Sequence, residues 1–308
     1  MSGSLAVSVV LPVHNEVGAI EELLGEIEQA LADVSFECVC VDDGSTDGSD
    51  DLLDELSLDR PWLRIIHLAS NFGQTAAISA GINASAGRAV VLMDSDGQND
   101  PCDVPALLRL LDDGFDVVSG WRQRRQESRA RRVLSRAANA LLRRMSGVDL
   151  HDTGCSLKAY RAEVLRSLTL LRDDHRFLPA LAAGTGARVA EVPVRDRART
   201  AGTSHYGYRR VPRVAIDLVG LWLQLRFTGR PLRVFTALGL VAVLGWSGLA
   251  ILELLLGQTG FALMCLGVAA TVLGASVALG ASEEERRRQD GRPAYRVLNA
   301  RARERILQ

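Results

Sequence analysis

Short, mostly apolar runs alternate along this chain with longer stretches in which apolar residues recur every three or four positions. Leu5–Pro12 (LAVSVVLP), Phe36–Val41 (FECVCV), Leu63–Leu68 and Ala89–Met93 are runs of the first kind, the last wholly apolar. Their length and apolar content predict buried strands. Between them, Val17–Leu31 places Ile20, Leu23, Leu24, Ile27 and Leu31 at helical spacing. A Gly/Ser turn at Asp42–Asp47 leads into a helix from about Ser49 to Leu56, and Asn71–Ala84 reads as a helix of small residues. Pro105–Leu111 is amphipathic, and Phe115–Gly120 has the pattern of a further strand. Strands alternating with helices predict an α/β fold with a doubly wound, mostly parallel sheet.

The polar residues fall where those strands end. His14, Asn15 and Glu16 follow the first, Asp42 and Asp43 end the second, and Asp94 and Asp96 follow the fourth. Open α/β sheets bind ligands at that edge, so three polar turns predict one acidic cleft. Asp94 and Asp96, at i and i+2 of an extended segment, point the same way, and Gln98 adds a neutral oxygen. Hard oxygen donors so placed suit Mg²⁺ or Mn²⁺ shared with substrate phosphates. Taken alone, the triplet also reads as an acidic turn with Gly97 and Pro101. No Gly-x-Gly-x-x-Gly follows the first strand and no Gly-Lys-Ser/Thr loop occurs, which argues against dinucleotide and P-loop binding.

The last third changes character. Val211–Phe227 is amphipathic, with Trp222 and flanking arginines, the pattern of an interfacial helix. Val234–Leu256 and Phe261–Ala281 each match the roughly 20 apolar residues that span hydrocarbon. The turn GQTG at 257–260 joins them as a transmembrane hairpin. Arg230 and Arg233 before it and Arg286–Arg288 after it put both ends in the cytosol.

Composition adds three constraints. The formal net charge of the 308 residues is −1, so bulk charge predicts no nucleic-acid partner. The bases are arginines except Lys158, clustered in 122–144, 195–213 and 286–304. Arginine favours bidentate phosphate contacts. The segment Arg195–Arg210 (RDRARTAGTSHYGYRR) is loop-like; Gly202 and Gly207 let it move, so that arginine with serine, histidine and tyrosine can grip phosphate oxygens. The five cysteines lack zinc spacing and read as reduced, and no signal peptide opens the sequence.

Assembled in order, LPVHNE (11–16), VDDGSTD (41–47), NFGQTAAISAG (71–81), MDSDGQNDP (93–101), SRAANALLRRMSG (135–147), HDTGCSLKAYR (151–161) and RTAGTSHYG (199–207) resemble the family 2 glycosyltransferases of GT-A fold. More narrowly they resemble the membrane-anchored polyprenyl-phosphate glycosyltransferases. The resemblance implies a GT-A domain at 1–210, an interfacial helix at 211–231, two transmembrane helices at 232–281 and a cytosolic charged tail at 282–308. It implies metal-dependent, inverting transfer of a sugar from a nucleotide-diphosphate sugar to a polyprenyl phosphate. The location it implies is the cytosolic face of a bacterial inner membrane, in a chain that is a candidate homo-oligomer.

By the same resemblance, Pro12, His14, Glu16, Asp43 and Asp94 hold the donor. Asp94, Asp96 and Gln98 hold Mg²⁺ or Mn²⁺, and Asp94, Asp96 and Asp152 carry the catalytic roles. Arg132, Arg136, Arg199 and Ser204 surround the acceptor phosphate or donor diphosphate. Two positions depart from the family pattern: His14 replaces the usual tyrosine, and His205 the usual lysine. Two other readings compete. A processive polysaccharide synthase would carry Gln-x-x-Arg-Trp, which is absent here, and more spans. A non-catalytic membrane scaffold would not need an intact Asp43, Asp94, Asp96 and Gln98.

Overall fold

A computed structural model of the chain describes residues 6–123, 143, 148, 150–168, 174–197, 231–257, 264–265, 267–276 and 278–279. Seven strands form one sheet: β1 (Val7–Val13), β2 (Phe36–Asp42), β3 (Leu63–His67), β4 (Ala89–Leu92), β5 (Val117–Arg122), β6 (Lys158–Arg161) and β7 (Val189–Val194). Their order is β3-β2-β1-β4-β6-β5-β7. The pairs β3–β2, β2–β1, β1–β4 and β5–β7 are parallel, whereas β6 runs against both of its neighbours. The sheet is therefore mixed, and the expected parallel arrangement holds for the β3-β2-β1-β4 half.

Alternation along the central strands divides the core in two. Val9, Leu11, Val13, Cys38, Cys40, Val91 and Met93 pack on one face with Ile20, Leu23, Leu24 and Ile27 of α1 (Ile20–Ala30). The same cluster takes Leu53 of α2 (Ser49–Asp59) and Leu107 of α4 (Val104–Asp112). Val10, Val39, Val41, Val90 and Leu92 face the other way. There they meet Ala77 and Ile78 of α3 (Gln74–Ala84), Leu165 of α5 (Ala162–Ser167) and Leu178 of α6 (Leu178–Gly184). Helices on both faces make the sheet doubly wound. Strand residues point alternately to opposite sides, so a continuous apolar run feeds both layers.

The reversal of β6 decides what reaches the functional edge. Leu92 pairs with Lys158 and Ser119 also pairs with Lys158. The residues just before β6 therefore lie beside those just after β4 and at the end of β5. The turn 151–157 thus shares an edge with the ends of β1, β2, β4, β5 and β7.

The described residues fall into two compact units, within Met1–Leu218 and within Val219–Pro293. In the second, α7 runs from Pro231 to Leu255, and helical positions resume at 264–265, 267–276 and 278–279. The pair is antiparallel: Gly239 lies against Leu273 and Ser276, while Ala250 packs with Cys265. Leu240, Val241, Leu244, Ile251, Leu252 and Leu255 are exposed. Among the described residues no helix is long and apolar enough to cross a membrane. The two expected spans are therefore not established, and the expected interfacial helix at 211–231 lies outside the described residues apart from its last position.

Candidate functional site

The loops after β1 and β2 are pinned to each other. Asn15 has φ 58°, a left-handed conformation that asparagine tolerates better than most residues. Its N–H donates to Ser45 Oγ at 3.0 Å, and its Oδ1 accepts from the Thr46 N–H at 2.8 Å. The Glu16 N–H donates to Ser49 Oγ at 2.9 Å. Behind them Asp42 accepts from the Ser45 N–H and contacts His67 at 3.1 Å. Burial opposes the Asp42 charge, but His67 and Ser45 prevail and its pKa falls.

Asp43, one residue on, faces the N-terminus of α3. Its two oxygens accept from the N–H groups of Phe72 (2.7 Å) and Gly73 (2.8 Å). Gly73 sits at φ 93°. The helix expected from Asn71 therefore begins at Gln74, because Asn71–Gly73 turn their backbone toward Asp43 instead. Burial raises the Asp43 pKa despite these donors. Asn71 Nδ2 lies 3.0 Å from His14 Nε2. An amide NH₂ only donates, so this contact makes Nε2 the acceptor. Pro12 contributes its carbonyl, which accepts from Ser95 Oγ at 2.7 Å.

The carboxylate pair sits beyond the end of β4, in a loop that bends at Ser95–Gly97 rather than in an extended segment. Gly97 has φ 74°. The loop folds back on itself: the Gln98 N–H donates to Asp96 Oδ1 at 3.1 Å. Asp94 Oδ1 accepts from Gln74 Nε2 at 2.6 Å, and the Asp94 N–H points at Asn99 Oδ1 at 3.4 Å. Burial and the neighbouring Asp96 charge raise the Asp94 pKa, against the opposing effects of Ser156, Lys158 and Arg122. A dication between the carboxylates would remove that repulsion. Two carboxylates with an amide oxygen nearby fit a hard ion such as Mg²⁺ or Mn²⁺. Among the described residues no three His, Cys, Asp or Glu side chains are grouped so that they alone could hold a metal ion.

Across β6 stands Asp152, 3 % exposed. Arg122 Nε donates to its Oδ2 at 2.8 Å and Arg122 Nη2 approaches Oδ1 at 3.3 Å. The Gly154 N–H also donates to Oδ1, at 3.2 Å. Glu191 of β7 holds this turn from outside, accepting from the N–H groups of His151 (2.8 Å) and Asp152 (3.0 Å). The His151 ring stacks on Trp121 at 4.5 Å. Lys158, buried beneath the turn, donates to the carbonyls of Thr153 (3.3 Å) and Arg176 (3.5 Å), and burial lowers its pKa to about 8.

The structure thus gathers Pro12, His14, Glu16, Asp43, Asp94, Asp96, Gln98 and Asp152 along one sheet edge. Arg132, Arg136, Arg199 and Ser204 lie outside the described residues. The sequence pattern did not single out Gln74, Glu191 or His175, nor separate Arg122 from its basic segment. The contacts of Gln74, Arg122, Glu191 and His175 depend on register between distant strands, and only the NFGQT motif carried any signal of them.

The chain is similar to known proteins. The model of glycosyl transferase family 2 matches residues 8–169. A dodecaprenyl-phosphate galacturonate synthase of Rhizobium johnstonii is 39 % identical over 273 residues, covering 86 % of this chain and 78 % of that one. An undecaprenyl-phosphate 4-deoxy-4-formamido-L-arabinose transferase of Edwardsiella ictaluri is 38 % identical, covering 81 % and 76 %. Among solved structures, glucosyl-3-phosphoglycerate synthase of Mycobacterium tuberculosis with Mn²⁺, UDP and glucosyl-3-phosphoglycerate superposes with a TM-score of 0.55. That match has 22 % identity over 72 % of this chain and 80 % of that one, and it shows a shared fold.

Proposed function

The chain belongs to glycosyl transferase family 2, and from that premise we propose that it transfers a sugar from a nucleoside diphosphate to a polyprenyl phosphate, with inversion. The observation that carries this reading is the Asp94–Asp96 pair at the edge where β1, β2 and β4 end, the pKa of its first member raised by burial and by the charge of the second. The acceptor class rests on the relatives, both named for polyprenyl-phosphate products or substrates.

Mg²⁺ or Mn²⁺ on Asp94, Asp96 and Gln98 would neutralise the leaving diphosphate. Asp43, with Pro12, His14 and Glu16, would hold the nucleoside on the loops of β1 and β2. Uridine and guanosine diphosphates both suit these residues. The attacking phosphate oxygen is already ionised near neutral pH, so the acceptor needs no strong base. Asp152 is instead clamped by Arg122 and backbone donors. That arrangement favours orienting Arg122 and stabilising developing positive charge over proton removal. Arg132, Arg136, Arg199 and Ser204 would bring two mutually repelling anions together.

Attachment to a bacterial inner membrane, with the catalytic unit cytosolic, belongs to the same reading. Its support is the helix pair: Gly239, Ala250, Cys265 and Ser276 lie between the helices, beside Leu273 and Trp246, while large apolar residues of α7 are exposed. Small inward residues are how helices pack in lipid, and exposed leucines need an apolar surround. The interfacial helix at 211–231, the spans within 232–281 and the charged tail at 282–308 complete this arrangement.

The test is a transfer assay on the full chain in detergent, with short polyprenyl phosphate, Mn²⁺ or Mg²⁺, and labelled UDP- and GDP-sugars. Label enters the organic phase with one donor, EDTA blocks it, and Asp96→Ala abolishes it while Asp152→Asn retains measurable turnover. Full activity in Asp96→Ala would remove the metal assignment. No lipid-linked product with any donor would favour the scaffold reading.

A further inference from the structure

Five consecutive residues, Asn71–Thr75, touch four separate walls of the site. Asn71 reaches His14, the Phe72 and Gly73 N–H groups reach Asp43, and Gln74 Nε2 reaches Asp94 Oδ1 at 2.6 Å. Thr75 Oγ1 meets His175 Nδ1 at 2.8 Å. The first turn of α3 is therefore held on both sides of Gln74, by Asp43 behind it and by His175 ahead of it. Gln74 itself is exposed at the cleft. An exposed glutamine ordinarily spends its amide on water, and ordering its long side chain costs rotamer freedom. Here the amide is committed to one carboxylate oxygen.

The choice of a neutral donor matters. Lysine or arginine at this position would neutralise Asp94 and compete with a dication for it. An amide fixes the carboxylate's direction and leaves its full charge in place. Ligand carboxylates in metal sites are commonly held by such outer hydrogen bonds. Asn99 restrains the same residue through its backbone N–H, so side chain and main chain of Asp94 are aimed by different partners.

We propose that Gln74 is a positioning residue that aims Asp94 at a divalent cation and the donor diphosphate. This rests on the transferase reading above. It extends that reading to a residue on a different element, which ties the nucleoside side of the cleft (His14, Asp43) to the diphosphate side (Asp94) through one helix start.

The test uses Gln74→Met, which keeps length and shape but has no donor. Mn²⁺ binding to the purified full chain in detergent is followed by electron paramagnetic resonance, with UDP and separately with GDP. Losing an outer-shell partner typically weakens metal binding about 10- to 100-fold. That loss is expected here, with an unchanged melting temperature. In the transfer assay the Mn²⁺ concentration for half-maximal rate rises by a similar factor, while kcat at saturating Mn²⁺ stays within about threefold. Wild-type Mn²⁺ affinity in Gln74→Met overturns the proposal and leaves the transferase reading intact. A weaker affinity accompanied by a lowered melting temperature also overturns it, because Gln74 would then be supporting the fold. A wild-type chain that takes up no Mn²⁺ with either nucleotide overturns the metal assignment and this proposal with it.

Discussion

His175 is held neutral in the folded chain. Burial, with Arg176 and Lys158 nearby, lowers its pKa from 6.5 to about 3. The unfolded chain therefore binds the proton first as pH falls. The stabilising difference is complete above pH 6.5 and is lost progressively between 6.5 and about 3. Its slope approaches about 1.4 kcal/mol per pH unit within that window. Urea unfolding of the wild type should show this acid sensitivity, and His175→Gln should flatten it. An identical pH profile in the variant would show that other groups dominate. Residues of this kind were the least legible in the sequence. Asp43, Asp94 and Asp96 stood out because each closes a strand with a recognisable turn. His175 and Glu191 look like ordinary polar residues until β6 and β7 bring their partners, some 40 to 100 residues away in sequence, into contact.

Among the elements, α3 shows how a small side chain sets a spacing. A Cβ on Gly81 would collide with Val10 and press on Val41, so the absence of a side chain lets α3 sit close on β1 and β2. Gly25 of α1 is the opposite case, with nothing within 4 Å of its Cβ direction. Gly→Ala gains up to about 1 kcal/mol in an exposed helix interior, whereas overpacking costs about 1–3 kcal/mol. Gly81→Ala should lower the melting temperature and Gly25→Ala should raise it; shifts of the same sign would contradict this packing. Strands β1 to β4 were legible because short apolar-rich runs, each followed by a polar turn and then a helical pattern, have few other uses. Strands β6 (KAYR) and β7 (VAEVPV) were not, since each carries charge and β6 buries its lysine. Their assignment depends on pairing with β4 and β5, which no local pattern records.

For the molecule as a whole, the helix pair of the second unit is the feature that sequence hydropathy described most directly. The structure adds the leucines exposed along it, Leu240, Leu244, Leu252 and Leu255 among them. If lipid covers the exposed leucines, arginines placed there are costly, about 2.5–3.5 kcal/mol each near the middle of a span. Membranes carrying the wild-type chain should retain it through an alkaline carbonate wash. Leu244→Arg combined with Leu252→Arg should release or degrade it. Leu58→Arg, at an 82 % exposed position on α2, should not. Equal retention in all three would detach the leucines from any membrane role.

The reversed strand β6 also has a consequence for the order of synthesis. When the ribosome has delivered Leu92, the four parallel strands can pair, but the outer edge of β4 is bare. It stays bare until residues 158–161 emerge and fold back onto it. An unpaired, apolar strand edge is a template for another chain, and such half-finished species aggregate readily. Nascent chains paused between these two points are the ones a chaperone must guard, and slow translation across 93–157 would lengthen that exposure.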